Sequence, residues 1–186
     1  MMFLIAGLGN PEEKYFKTRH NFGFRVVDAL VNRFGINNHQ KKFNADLNKG
    51  EIEGKEVVLV KPLTYMNKSG IAIQEVKTFF KITLDKIIVI HDDVDIELGR
   101  IKVKVGGGAG GHNGLKSIDE QIGKNYIRIR LGVGRPEHGD TADFVLKRFS
   151  SDEEKIVKKV IDSVAEDFPQ ILVGEREKFL NKFYLK

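Results

Sequence analysis

Apolar positions recur along the chain with two periods, and the two kinds of segment alternate. Unbroken apolar runs at residues 3–6, 57–60 and 87–90 have the length and composition of strands buried on both faces. Phe22, Val26, Leu30 and Phe34 fall every four residues with Gly35 behind them, which makes one apolar helix face followed by a stop. The spacing predicts further helices over about 71–80 and 113–122. Ile101, Val103 and Val105 alternate with Lys102 and Lys104, the pattern of a strand with one wet, basic face. A strand over 126–133 carries Arg128 and Arg130 on one face. Ser151 and Glu154 have the spacing of a capping box, ahead of a helix bearing Ile156, Val160, Ile161 and Val164. A last short helix presents Phe179, Leu180 and Phe183.

Strands alternating with helices give an α/β fold, a three-layer α/β/α domain with a mostly parallel sheet. No repeat or linker divides residues 1–186, so one domain is expected. In such sheets ligands gather at the carboxyl ends of the strands. Those ends hold Asn10, then Tyr65 and Asn67, then His91 and Asp92. The basic strand leads through a glycine stretch to His112 and Asn113.

Composition narrows the chemistry. Cysteine is absent, which excludes disulfides, a thiolate nucleophile and cysteine-rich zinc sites. The apolar start has no basic segment before it and is interrupted by Pro11. That is too short for a signal core or a membrane span, and a cytoplasmic protein is expected. A formal net charge of +5 favours a polyanionic partner without specifying it.

Several motifs fail on inspection. Gly106, Gly108 and Gly111 satisfy G-x-G-x-x-G nominally, but the preceding strand is lysine-rich and the downstream strand offers arginines where a nucleotide-binding site needs an acid. No Gly-Lys-Ser/Thr follows to make a P-loop. The H-D-D-V-D stretch puts Gly99 one position late, and Lys104 in place of the last ligand, for a calcium loop. No metal or other cofactor is expected.

His20, in T-R-H-N-F-G, has two readings: a histidine capping or packing at a helix start, or a general base. The second needs a carboxylate to accept its Nδ1 proton, and Asp92 at a neighbouring strand end is the best candidate. A helix N-terminus disfavours imidazolium there while Asp92 favours it, so the two influences are opposed. With no serine in a nucleophile elbow, water activated by His20 is the natural nucleophile. Amides of Asn10, Asn67 and Asn113 can donate to a carbonyl and to its oxyanion. That set points to hydrolysis of an activated carbonyl, such as an ester. A non-catalytic RNA-binding module and a small-ester hydrolase are the alternatives.

The motifs G-L-G-N-P, T-R-H-N-F-G, K-P-L-T-Y-M-N-K-S-G, H-D-D-V-D and G-G-G-A-G-G-H-N-G-L-K-S, in this order, resemble those of the bacterial peptidyl-tRNA hydrolases over essentially the whole chain. The resemblance implies a monomeric single domain with a twisted mixed sheet flanked by helices. It also implies cofactor-free cleavage of the ester joining a peptide to the terminal ribose of tRNA. By motif, His20 corresponds to the base and Asp92 to its orienting carboxylate. Asn10, Asn67, Asn113 and His112 correspond to discriminating and positioning residues. Tyr15 and Tyr65 match contacts to the acceptor end, together with Asn67 and Asn113, while Lys102, Lys104 and Arg130 match phosphate contacts. Residues 93–99 are less proline-rich than the family pattern, and Ala109 fills a variable position. The glycine stretch and residues 136–144 are the candidate lids.

Overall fold

A computed structural model describes residues 1–184, with side-chain surroundings through 181. In chain order the elements are β1 (Met2–Gly7), α1 (Phe22–Phe34), β2 (His39–Lys42), β3 (Ala45–Ile52), β4 (Lys55–Pro62), α2 (Ser69–Phe80) and β5 (Ile87–Asp93). They continue as β6 (Ile101–Val105), α3 (Asn113–Ile122), β7 (Ile127–Gly132), α4 (Thr141–Val145), α5 (Ser151–Leu172) and α6 (Arg176–Tyr184). The helical turn expected at Phe183 is present in the backbone, but its side chain lies outside the described residues.

One seven-stranded sheet runs in the order β2-β3-β4-β1-β5-β7-β6. Its centre is parallel, with β1 pairing with both β4 and β5, and β5 with β7. Antiparallel strands close both edges. The three apolar runs of the sequence form the centre, and each is buried on both faces, as layers on both sides require. On one side Phe3, Ile5, Leu59 and Ile90 pack against α1 and α5 through Val26, Leu30, Val160 and Phe168. On the other side Leu4, Ala6, Val58 and Val89 pack against α2 and α3 through Ile73, Val76, Leu115 and Ile118. The α/β/α layering expected from the alternation is therefore present.

The structure differs from the expected pattern in four places. The β2–β3 hairpin was not anticipated, because β2 reads H-Q-K-K and is exposed throughout. Its two-residue turn places Phe43 and Asn44 at positive φ, as a type I′ turn demands. The capping box lies one residue earlier than expected: Ser150 Oγ accepts from the Glu153 amide at 3.1 Å and Glu153 accepts from the Ser150 amide at 2.8 Å. Tandem Ser-Ser and Glu-Glu pairs offered two registers, and Arg25 takes the Glu154 carboxylate instead, at 2.8 and 2.9 Å. Ile156 lies off the buried stripe of α5 and is largely exposed. Finally, β6 is antiparallel to β7, so its carboxyl end points away from the other strand ends, and the glycine stretch climbs back along the sheet to reach His112.

Candidate active site

The base of the site is a seam where helix and sheet meet without side chains between them. A Cβ added at Gly23 would lie 2.2 Å from Ile90 O and 2.6 Å from Leu8 N. Glycine there lets the start of α1 press directly on the ends of β1 and β5. The single helical turn Arg19–Asn21 just before α1 is thereby held beside Asp92. Asn21 fastens the seam: its Oδ1 accepts from the Asn10 amide and its Nδ2 donates to Asn10 O, both at 2.9 Å.

From that turn His20 Nδ1 meets Asp92 Oδ2 at 2.8 Å. Asp92 is 2% exposed, and its other oxygen accepts from His112 Nε2 at 2.9 Å. Burial alone would push the Asp92 carboxyl up, but the His20 and His112 rings outweigh it and hold it well below the usual carboxylate range. Burial would push His20 down; the adjacent Asp92 carboxylate overrides this and raises it above 6.5. His20 Nε2 makes no hydrogen bond among the described residues.

His20, Asp92 and His112 place ligand atoms within 4.8 Å of one another, close enough in principle to share a cation. The protons oppose it. His112 Nδ1 accepts from the Gly114 and Leu115 amides at 3.1 and 3.3 Å, so Nε2 holds the ring proton and has no lone pair for a metal.

These groups line a cavity of about 760 Å³. Asn10, Tyr65, Asn67, Asn113, Lys104 and Arg130 line it too. Asn10 Oδ1 accepts from the Met66 amide at 2.8 Å, which leaves its NH₂ as the group without a protein partner among the described residues. Asn67 and Asn113 are exposed, and their loops are locked together beneath. The Gly70 amide donates to Ser117 Oγ at 2.9 Å, where a Cβ at Gly70 would come 2.2 Å from Ser117 O. Tyr65 stands at φ 63°, ψ 158°, a conformation that costs an L residue on the order of 1–3 kcal/mol.

The basic side chains are not equivalent. In the β6–β7 register Lys102 lies opposite Arg130, and Lys104 opposite Arg128. Arg128 is buried and serves the glycine stretch, donating to Gly107 O and Gly108 O at 3.1 and 3.0 Å and to Asp119 at 3.1 Å. Arg130 keeps its Nε on Asp93, at 2.8 Å. Lys102 and Tyr15 do not line the cavity.

Several residues escaped the sequence reading. Arg19 is buried, donates to Arg148 O at 3.1 Å and pairs with Glu153 at 3.1 Å. Its guanidinium lies 4.0 Å from the Phe144 ring centre. It ties the His20 turn to the segment after α4, next to Asp140, Thr141, Ala142, Val145 and Leu146 of the cavity lining. His91, by contrast, was already placed at a strand end by the sequence; it is fully buried, donates from Nδ1 to Asp92 O at 2.7 Å, and leaves Nε2 without a partner. Burial, then the neighbouring His112, lowers it to about 4. Asn21 and Arg19 flank His20 in the sequence, and that adjacency was the available signal.

Comparison with known proteins gives one consistent result. A family model described as peptidyl-tRNA hydrolase matches residues 4–186. The peptidyl-tRNA hydrolase of Rickettsia canadensis (strain McKiel) is 49% identical over 183 residues, spanning 97% of this chain and 99% of that protein. That of Rickettsia prowazekii (strain Madrid E) is 47% identical over the same length and the same shares. A crystal structure of peptidyl-tRNA hydrolase from Acinetobacter baumannii superposes with a TM-score of 0.91 at 37% identity, covering 98% of this chain and 94% of that one.

Proposed function

The chain belongs to the peptidyl-tRNA hydrolase family and hydrolyses peptidyl-tRNA, and from that premise we propose how its residues divide the work. His20 is the general base. The observation that carries this reading is the 2.8 Å contact of its Nδ1 with Asp92, which assigns the ring proton to that side and leaves the Nε2 lone pair for water. Nε2 takes a proton from water as the oxygen attacks the ester carbonyl. The tetrahedral intermediate then expels the terminal ribose oxygen, which takes its proton from the imidazolium. Asp92 orients the ring and stabilises its charged form.

Asn10 offers its free NH₂ to the carbonyl of the blocked amino group. An unblocked substrate brings an ammonium instead, which is costly to desolvate against an amide donor. Asn67 and Asn113 hold the peptide backbone, the water or the terminal ribose, and His112 positions Asp92. Tyr65, with Tyr15 farther out, contacts the acceptor end, where an aromatic face stacks on a base. Lys104 and Arg130, extended by Lys102, clamp phosphates of the acceptor stem. The enzyme works without a cofactor, as a monomeric single domain in the cytoplasm. Among the described residues no helix is long and apolar enough to cross a membrane.

The direct test follows release of labelled N-acetyl-aminoacyl groups from tRNA, beside the same tRNA carrying an unblocked amino acid, with EDTA present. Fast release from the blocked substrate alone, lost in His20→Ala, is the expected result. Tight tRNA binding without release would instead favour a binding module.

A further inference from the structure

Tyr65 lines the cavity. Its hydroxyl donates to Glu12 Oε1, joining the loop after β1 to the loop before α2. Glu12 stands two residues beyond Asn10, and Tyr65 two residues before Asn67, so the contact spans the two loops that carry those amides.

The ring is held at both ends although it is 46% exposed. At the backbone, the Met66 amide is pinned to Asn10 Oδ1 at 2.8 Å and Tyr65 O accepts from the Lys68 amide at 3.2 Å. Those bonds maintain the positive φ described above. At the tip, Glu12 holds the hydroxyl. An exposed aromatic side chain ordinarily keeps its rotamer freedom, and ordering one is unfavourable unless something uses the ordered ring. A planar ligand would use it.

We propose that Glu12 is a positioning residue: its carboxylate holds the Tyr65 ring as a fixed platform on which the terminal base of the tRNA stacks, so that Glu12 acts on KM through Tyr65 and leaves the chemical step untouched. This rests on the reading of Tyr65 as an acceptor-end contact. The Tyr65 hydrogen bond holds Glu12 below the usual carboxylate range, and the Glu12 bond raises the Tyr65 hydroxyl above its ordinary value. The tether is therefore a neutral phenol donating to a carboxylate throughout the neutral range.

Steady-state kinetics on N-acetyl-aminoacyl-tRNA test this with five variants, each melted to confirm folding. Tyr65→Ala removes the platform and should raise KM about tenfold or more, since stacking on an aromatic ring is worth roughly 1–3 kcal/mol per base. Glu12→Ala and Tyr65→Phe each release the ring but keep or spare it. Each should raise KM roughly three- to fivefold, the scale of one exposed hydrogen bond. The double variant Glu12→Ala/Tyr65→Phe should be no worse than either single one, and Glu12→Gln, which can still accept from the hydroxyl, should recover part of the loss. All should keep kcat. Additive losses in the double variant, a fall in kcat in Glu12→Ala, or a normal KM in Glu12→Ala beside a raised one in Tyr65→Ala would each overturn the tether while sparing the platform. A normal KM in Tyr65→Ala would overturn the platform itself, and with it the reading of Tyr65 on which the tether depends.

Discussion

His112 donates a proton to Asp92, and the direction of that bond is fixed by the helix behind it. His112 Nδ1 faces the amide protons of Gly114 and Leu115 at the start of α3, so it carries no proton of its own. The neutral ring's single proton is on Nε2, 2.9 Å from Asp92 Oδ1. Asp92 therefore accepts at one oxygen from a His112 ring whose other nitrogen is turned to α3, and at the other from His20.

Removing the base should cost rate without costing the fold. His20→Ala is expected to lower kcat/KM by about 10²–10⁴, the usual contribution of general base catalysis, with the protein still folded. Near-normal turnover in single-turnover assays would remove His20 from the mechanism.

The pH profile should report the Asp92 carboxylate. His20 must be neutral to act, and its pKa is raised above 6.5, so kcat/KM should climb with pH on a limb centred above 6.5. In Asp92→Asn burial remains as the dominant influence and lowers the pKa. The limb should then move below 6.5 while the plateau falls, by less than in His20→Ala. A profile that does not move would dissolve the pairing.

Salt separates the phosphate contacts from the rest. Lys104→Ala should weaken tRNA binding and make the slope of log affinity against log salt shallower by about one. Arg130→Ala should do less than its charge suggests, because Asp93 already occupies its Nε. Filter binding over a salt series decides it, and equal slopes for Lys104→Ala and the parent enzyme would refute the clamp.

His91 should show in stability rather than in catalysis. Its pKa is lowered to about 4 in the folded state, whereas the unfolded ring titrates near 6.5. Below 6.5 the unfolded chain binds a proton that the native one refuses. The His91 contribution is then complete above 6.5 and declines by on the order of 3 kcal/mol toward pH 4. His91→Asn keeps a donor for Asp92 O and removes the titration. Urea unfolding should find this variant less stable at neutral pH, with the deficit shrinking or reversing near about pH 4.5. A deficit constant with pH would contradict the assignment.

Much of this was written in local patterns. Apolar runs at residues 3–6, 57–60 and 87–90 became the central parallel strands because a doubly covered strand has no wet face to encode. The residues that gather at the site were also visible, since strand ends and the turns after them carry polar side chains that a core does not need. What stayed hidden depends on pairing across long separations. Nothing in H-Q-K-K marks an edge strand until β3 lies beside it. Nothing in Ser150-Ser151 chooses a cap register until Arg25 has claimed Glu154. The reversal of β6 is a fact about its neighbour, and nothing in the alternation of Arg128 and Arg130 tells that the first is buried under the glycine stretch.

The glycine seam beneath the site also says where conditional mutants should arise. Gly23 touches no substrate, yet a single methyl group there would wedge the His20 turn away from the strand that holds Asp92. Gly70 stands in the same relation to the two asparagine loops. A genetic screen for temperature-sensitive growth should return substitutions at these two positions as readily as in the cavity. They would behave as heat-aggravated losses of the whole activity, with no change in which substrate is preferred.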